Sequence, residues 1–294
     1  MTNRLPAPLV LILIVCASCA GAAAPDGSTV VGVSSTSAPG ESPGATTTQP
    51  TQAPSPQSTD APTTTTTATS TTTTTTTTAP AAPLEGVTIV LDPGHNGMNW
   101  AHPDEINALV DIGTITKPCN TTGTATADGF PEATFNWEVA LLTRTRLEAL
   151  GATVTMTRQD NEGWGPCITE RAAIGNRSGA AAVISIHADG GPESGRGFHV
   201  IYPKVVAGLT DDIAEDSRRL ATDIRSAVMT TEMPIADYIG EDGFSVRDDL
   251  GGLNLSDVPV MFLEAGNMKN ASDAALLTDP DFQASLADAL VAGL

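Results

Sequence analysis

Val87-Thr88-Ile89-Val90-Leu91-Asp92-Pro93-Gly94-His95 joins an apolar, β-branched run to a tight turn and then an imidazole. Branched side chains pack well on a pleated surface, and a continuous apolar run marks a strand covered on both faces. Two further stretches repeat the pattern. Ala181-Ala182-Val183-Ile184-Ser185-Ile186 ends in His187, and Val258-Pro259-Val260-Met261-Phe262-Leu263 ends in Glu264. An open α/β sheet builds its site from polar groups delivered at the carboxyl ends of strands.

Working outward, strand patterns at 88–91, 154–157, 181–186, 198–202 and 258–263 alternate with helical ones at 132–149, 169–176, 211–230 and 280–290. That alternation predicts an α/β domain with a twisted, mostly parallel sheet flanked by helices. In the first long helix Phe135, Val139, Leu142, Arg146 and Leu150 fall near one stripe, and Gly151 is a stop signal. The connection 96–130 is rich in Gly, Thr, Asn and Asp; loops of that length are uncommon unless they serve function. No internal repeat is present, so one compact, monomeric domain is expected at 84–294.

The chain ahead of this domain reads differently. Residues 1–24 have the form of an export signal: Arg4, an apolar run over 9–15, then small residues. The run is shorter than the roughly 20 apolar residues a membrane span needs. Two cleavage readings stay open. Ala20-Gly21-Ala22 suits ordinary cleavage, whereas Val15-Cys16-Ala17-Ser18-Cys19 resembles a bacterial lipobox, with Cys19 as the lipidated residue and a membrane anchor as the consequence. Residues 25–83 are dominated by Thr, Pro, Ala, Ser and Gly and cannot supply a core; a disordered stalk is expected.

Net charge is −20 for the whole chain. With Arg4, Asp26, Glu41 and Asp60 outside the folded part, 13 basic against 31 acidic residues remain there, a net −18. Such a surface excludes nucleic acid and anionic membrane as the domain's partners. Cys119 and Cys167 are the two cysteines of the folded part. In an oxidising compartment an isolated pair is most simply a disulfide, and neither belongs to a Cys-x-x-Cys zinc pattern.

His95, His187, Glu132 and Glu264 are the candidate chemistry. Two imidazoles and one carboxylate make a catalytic zinc set, with a second carboxylate left for proton transfer. Each has an ordinary reading too: Glu132 suits the start of its helix electrostatically, and a strand-end histidine is more often structural. His102 lies in a polar loop and His199 in mid-strand, where packing is the default, so both stay outside the ligand set. Ser185 beside His187 lacks any nucleophile-elbow pattern.

Taken in order, Asp92-Pro93-Gly94-His95, Pro131-Glu132 with Asn136 one turn on, Ser185-Ile186-His187-Ala188-Asp189 and Leu263-Glu264-Ala265-Gly266-Asn267 resemble the zinc-dependent N-acetylmuramoyl-L-alanine amidases of the amidase-3 type. The resemblance covers about 86–292. The two cysteines and Gly195-Arg196-Gly197-Phe198-His199-Val200 look like actinobacterial members. It implies a six-stranded sheet, one Zn2+ on His95, Glu132 and His187, and Glu264 as the catalytic base. It also implies peptidoglycan as substrate, cut between N-acetylmuramic acid and L-alanine, and a place in the cell envelope or outside it. Asn96, Asp189 and Asn267 stand where relatives carry other residues and are candidate substrate contacts. A non-catalytic wall-binding module and a zinc peptidase acting within the stem peptide are the competing readings.

Overall fold

A computed structural model describes residues 82–294. Its elements run β1 (Thr88–Pro93), a 3-10 turn (Asn99–Ala101), α1 (Pro103–Ile106), β2 (Leu109–Asp111), β3 (Thr116–Pro118), α2 (Glu132–Ala149), β4 (Thr153–Met156), α3 (Ile168–Arg177), β5 (Ala182–Asp189), β6 (His199–Pro203), α4 (Ala214–Val228), β7 (Phe244–Arg247), α5 (Gly251–Asn254), β8 (Val260–Asn267), α6 (Ala271–Leu277) and α7 (Pro280–Ala292). The signal segment, Cys19 and the stalk, through residue 81, lie outside the described residues. No helix among the described residues is long and apolar enough to cross a membrane.

Six strands form one sheet in the order β4-β1-β5-β8-β6-β7. The pairs β1–β4, β1–β5, β5–β8 and β6–β7 are parallel, and only β6–β8 is antiparallel. Strand alternation sorts side chains onto two faces. Ile89, Leu91, Ile184, Ile186, Met261 and Leu263 join the larger core, with Phe135, Val139 and Leu147 of α2, Ile224 of α4 and Leu286 and Leu290 of α7. Val90, Val183, Ile201 and Val260 face a smaller core with Leu253 of α5. By the same alternation His187, Glu264 and Phe262 belong to the thinner side, where less protein covers the strand ends. The site therefore opens there.

The helix α2 follows the expected bounds, and Gly151 closes it with a φ of +93°. Its buried stripe is rotated from the expected one. Phe135, Val139, Thr143 and Leu147 are fully buried at i, i+4 spacing, while Leu142, Arg146 and Leu150 flank the stripe half-buried. Arg146 is drawn aside by Asp288 and by the Ala284 carbonyl of α7. The long connection is not structureless: β2 and β3 form an antiparallel hairpin inside it. Neither β7 nor α6 was expected from the sequence pattern.

Candidate metal centre

Three residues from distant parts of the chain converge at the carboxyl end of β1 and β5. His95 follows the β1 turn, Glu132 is the first residue of α2, and His187 lies on β5; one ligand atom from each falls within 4.8 Å of the others. His95 Nε2 lies 3.1 Å and His187 Nδ1 2.9 Å from the same atom, Glu132 Oε1. The other carboxylate oxygen, Oε2, accepts the Thr124 N–H at 2.9 Å. Glu132 is thus held at both oxygens and is 4% exposed.

The backbone is shaped for this approach. A Cβ on Gly94 would collide with the His187 ring, and His95 itself sits at φ +58°, a left-handed conformation that costs a non-glycine residue about 1–3 kcal/mol. His95 Nδ1 lies 3.0 Å from the Thr121 carbonyl. A carbonyl only accepts, so Nδ1 carries a proton, and Nε2, turned to the carboxylate, is the nitrogen left to hold a metal. The His187 ring stacks on Phe262 at 5.4 Å with an interplanar angle of 3°, and meets His95 edge-on at 4.9 Å.

Electrostatics fit the arrangement. Burial would raise the Glu132 pKa, but the His95 charge and the His187 hydrogen bond hold it well below the usual carboxylate range. Burial opposes protonation of His95, and the Glu132 carboxylate outweighs it, raising its pKa. The donor set also passes a test of size. Bonds of about 2.0–2.1 Å in a tetrahedral zinc shell put neighbouring ligand atoms roughly 3.3 Å apart, close to the 3.1 and 2.9 Å from the two nitrogens to Glu132 Oε1, with the third pair within 4.8 Å. Two imidazoles, one carboxylate and the Thr121 carbonyl that orients the His95 ring from behind suit such an ion.

Glu264 pairs in register with His187 on one side and with His199 on the other, so all three project from one face. Burial, then the neighbouring charges of Glu132 and Asp189, push the Glu264 pKa well above the carboxylate range, against Arg247. His199 is 1% exposed, its Nδ1 has no hydrogen-bond partner, and burial pushes its pKa down to about 4. It is a neutral neighbour of Glu264, outside the ligand group as the sequence suggested.

The three candidate substrate contacts divide. Asn96 is buried, donates to the Gly165 carbonyl at 3.1 Å and accepts the Gly97 N–H at 2.8 Å. Asn267 is fully buried and donates to the carbonyls of Pro192 and Gly195 at 2.7 and 2.8 Å. Both amides are occupied in holding loops. Asp189 is half-buried beside Glu264 and accepts the Tyr238 hydroxyl at 2.9 Å.

Cys119 is buried and Cys167 half-buried, both in the thiol form. They touch: burial, then a hydrogen bond to Cys167, pushes the Cys119 thiol up to about 12.

Sequence reasoning missed the residues that hold the His95 turn in place. Arg171, at the start of α3, donates to Asp92 Oδ1 at 2.7 Å and to the carbonyls of Pro93, His95, Gly165 and Pro166 at 2.6–3.0 Å. Asp92 also accepts Ser185 and Thr157 hydroxyls, both at 2.6 Å. Burial works against its charge, but Arg171 wins and lowers its pKa to about 2. Arg158 donates to the Pro93 and Ala133 carbonyls and lies 4.9 Å over the Trp137 ring. Beside the metal group is a largely apolar cavity of about 170 Å3, whose lining includes His95, His187, Phe262, Ile168, Leu250 and Lys117.

Known proteins share this fold. The chain is 42% identical over 217 residues to an N-acetylmuramoyl-L-alanine amidase of Mycobacterium tuberculosis, spanning 74% of this chain and 88% of that protein. Its fold matches the crystal structure of the N-acetylmuramyl-L-alanine amidase Ami1 of Mycobacterium smegmatis, with a TM-score of 0.67 and 42% identity over 71% of this chain and 95% of that one. The apo form of Ami1 from Mycobacterium abscessus matches at a TM-score of 0.67 and 44% identity, over 71% of this chain and 97% of the other. With the family model for N-acetylmuramoyl-L-alanine amidase matching residues 89–294 as well, the chain belongs to that family.

Proposed function

We propose that this chain hydrolyses the amide between the lactyl group of N-acetylmuramic acid and L-alanine of the stem peptide, with one zinc ion on His95, Glu132 and His187 and Glu264 as the base. The observation that carries the reading is the convergence of His95 Nε2 and His187 Nδ1 on one Glu132 oxygen, with Glu264 on the adjacent strand beside His187. When bound, the ion supplies Lewis acidity toward a water and toward the scissile carbonyl. Glu264 takes a proton from the attacking water and gives it to the alanine nitrogen as the C–N bond breaks. The products are a lactyl carboxylate and a peptide with a free alanine amine. His95 is kept in one tautomer by Thr121, and Phe262 fixes the His187 ring plane. The setting is the cell envelope.

Digestion of purified muropeptides, read by mass, tests the proposal together with metal analysis. Intact stem peptides beginning with alanine are expected, with one zinc per chain, activity lost on chelation and regained with zinc. Shortened stems would mean a peptidase, and binding to insoluble wall without release a binding module.

We further propose that the Cys119–Cys167 contact closes to a disulfide once the protein is exported. The 48-residue loop would gain up to about 4 kcal/mol in the chain-entropy model. Thiol titration of denatured protein should find two reactive thiols from the pair after reduction and none after mild oxidation, with a raised melting temperature. Unchanged melting on oxidation counts against it.

A further inference from the structure

Two of the chain's three tryptophans stand in solvent: Trp100 is 68% exposed and Trp164 44% exposed. The His102 ring stacks on Trp164, centroids 5.1 Å apart and planes 22° from parallel. In a chain with 4% aromatic residues, such rings forgo the burial that would ordinarily stabilise the core.

Both are tied to the metal group by one chain of hydrogen bonds. The Thr121 carbonyl that fixes His95 Nδ1 at 3.0 Å also accepts Asn99 Nδ2 at 2.7 Å, and Asn99 Oδ1 accepts the Gly165 N–H at 2.8 Å. Asn99 is fully buried. Trp100 directly follows Asn99, and Trp164 directly precedes Gly165. The Met98 N–H to Gly163 carbonyl bond, 2.9 Å, locks the two loops a second time. The backbone that carries both rings therefore holds a fixed position relative to the His95 imidazole. The stretches 96–107 and 159–166 carry Asp104, Glu105, Asp160 and Glu162 and no Lys or Arg, which disfavours an anionic partner.

We propose that Trp100, His102 and Trp164 form a shelf on which neutral pyranose rings of the glycan strand stack, adding a sugar subsite to the amide-cleaving centre. This rests on the amidase reading, because the scissile amide hangs from a lactyl ether on a pyranose, so a sugar must lie beside the metal group. Aromatic faces pack against the apolar C–H faces of sugars, and rings carried on a braced backbone lose less freedom on binding. Exposed apolar surface of this kind marks an interaction site.

Titration of the full chain with a β-1,4-linked N-acetylglucosamine tetramer, followed by tryptophan emission in the unaltered chain and by calorimetry in every variant, reads the shelf without any catalysis. A saturable shift is expected, weakened at least tenfold in Trp100→Ala/Trp164→Ala and largely kept in Trp164→Phe. On intact sacculi the double variant should lose at least tenfold in kcat/KM through KM, while cleavage of N-acetylmuramoyl-L-alanyl-D-isoglutamine and zinc content stay within twofold. No saturable shift in the unaltered chain, or equal binding by the double variant, overturns the shelf. A parallel loss on both substrates with loss of zinc does so too. Binding of the tetramer without cleavage of either substrate would keep the shelf and overturn the amidase reading.

Discussion

Glu264→Gln lowers muropeptide cleavage by about 10²–10⁴-fold, the usual worth of a positioned acid–base group, while zinc content and thermal stability stay near those of the unaltered chain. The substitution keeps the shape and removes the ability to accept a proton. Stability holds because Glu264 is a costly group as it stands: buried beside Glu132 and Asp189, its carboxyl resists ionisation. An amide there relieves that repulsion. Zinc holds because Glu264 is not among the three converging ligands. The contrast with Glu132→Gln sharpens the expectation. That change removes the negative charge on which both imidazole nitrogens converge, leaving a neutral amide that is a poor zinc ligand, and should abolish zinc and activity together. Parallel turnover and zinc measurements on the two variants separate base from ligand. Full activity in Glu264→Gln would falsify the assignment of the base.

What the sequence revealed follows from which signals are local. Strand ends at His95, His187 and Glu264 were legible because an apolar run and a polar stop are adjacent in the chain, and the sheet brings those stops to one edge. The bounds of α2 were legible for the same reason, with Pro131 before and Gly151 after. Its buried face was not, because Arg146 is taken aside by Asp288, 142 residues later. The four residues of β7 are too short for a pattern and gain strand identity from pairing with β6. Asn96 and Asn267 looked like groove residues because polar side chains beside a ligand or base invite that reading. Their amides instead satisfy loop backbone groups that no local pattern could place. Arg171 had no signal at all, since an arginine opening a helix is ordinary and its five partners come from two other segments, 92–95 and 165–166.

That arginine yields the largest stability effect. Arg171→Met should cost about 3–5 kcal/mol, the range for removing one partner of a buried ion pair, because Asp92 stays buried with its charge while the carbonyls of Pro93, His95 and Gly165 lose a donor. For a domain of this size that corresponds to a melting temperature lower by roughly 6–20 °C. Zinc affinity should fall as well, by about 10–100-fold, as for other residues that orient a ligand from behind. Asp92 sets the pH signature. Its folded pKa of about 2 lies below the unfolded value near 3.9, so its contribution of about 2 kcal/mol is fully present above that unfolded value and drains away as pH falls toward 2. Asp92→Asn removes that acid-dependent part, so its stability should change less than the unaltered chain's between pH 4 and pH 2. Combining Arg171→Met with Asp92→Asn should cost less than the sum of the two, since the second change removes the charge the first leaves stranded. Additive losses would mean that the two side chains act independently, and the clamp on the His95 turn would then reside in the carbonyl bonds alone.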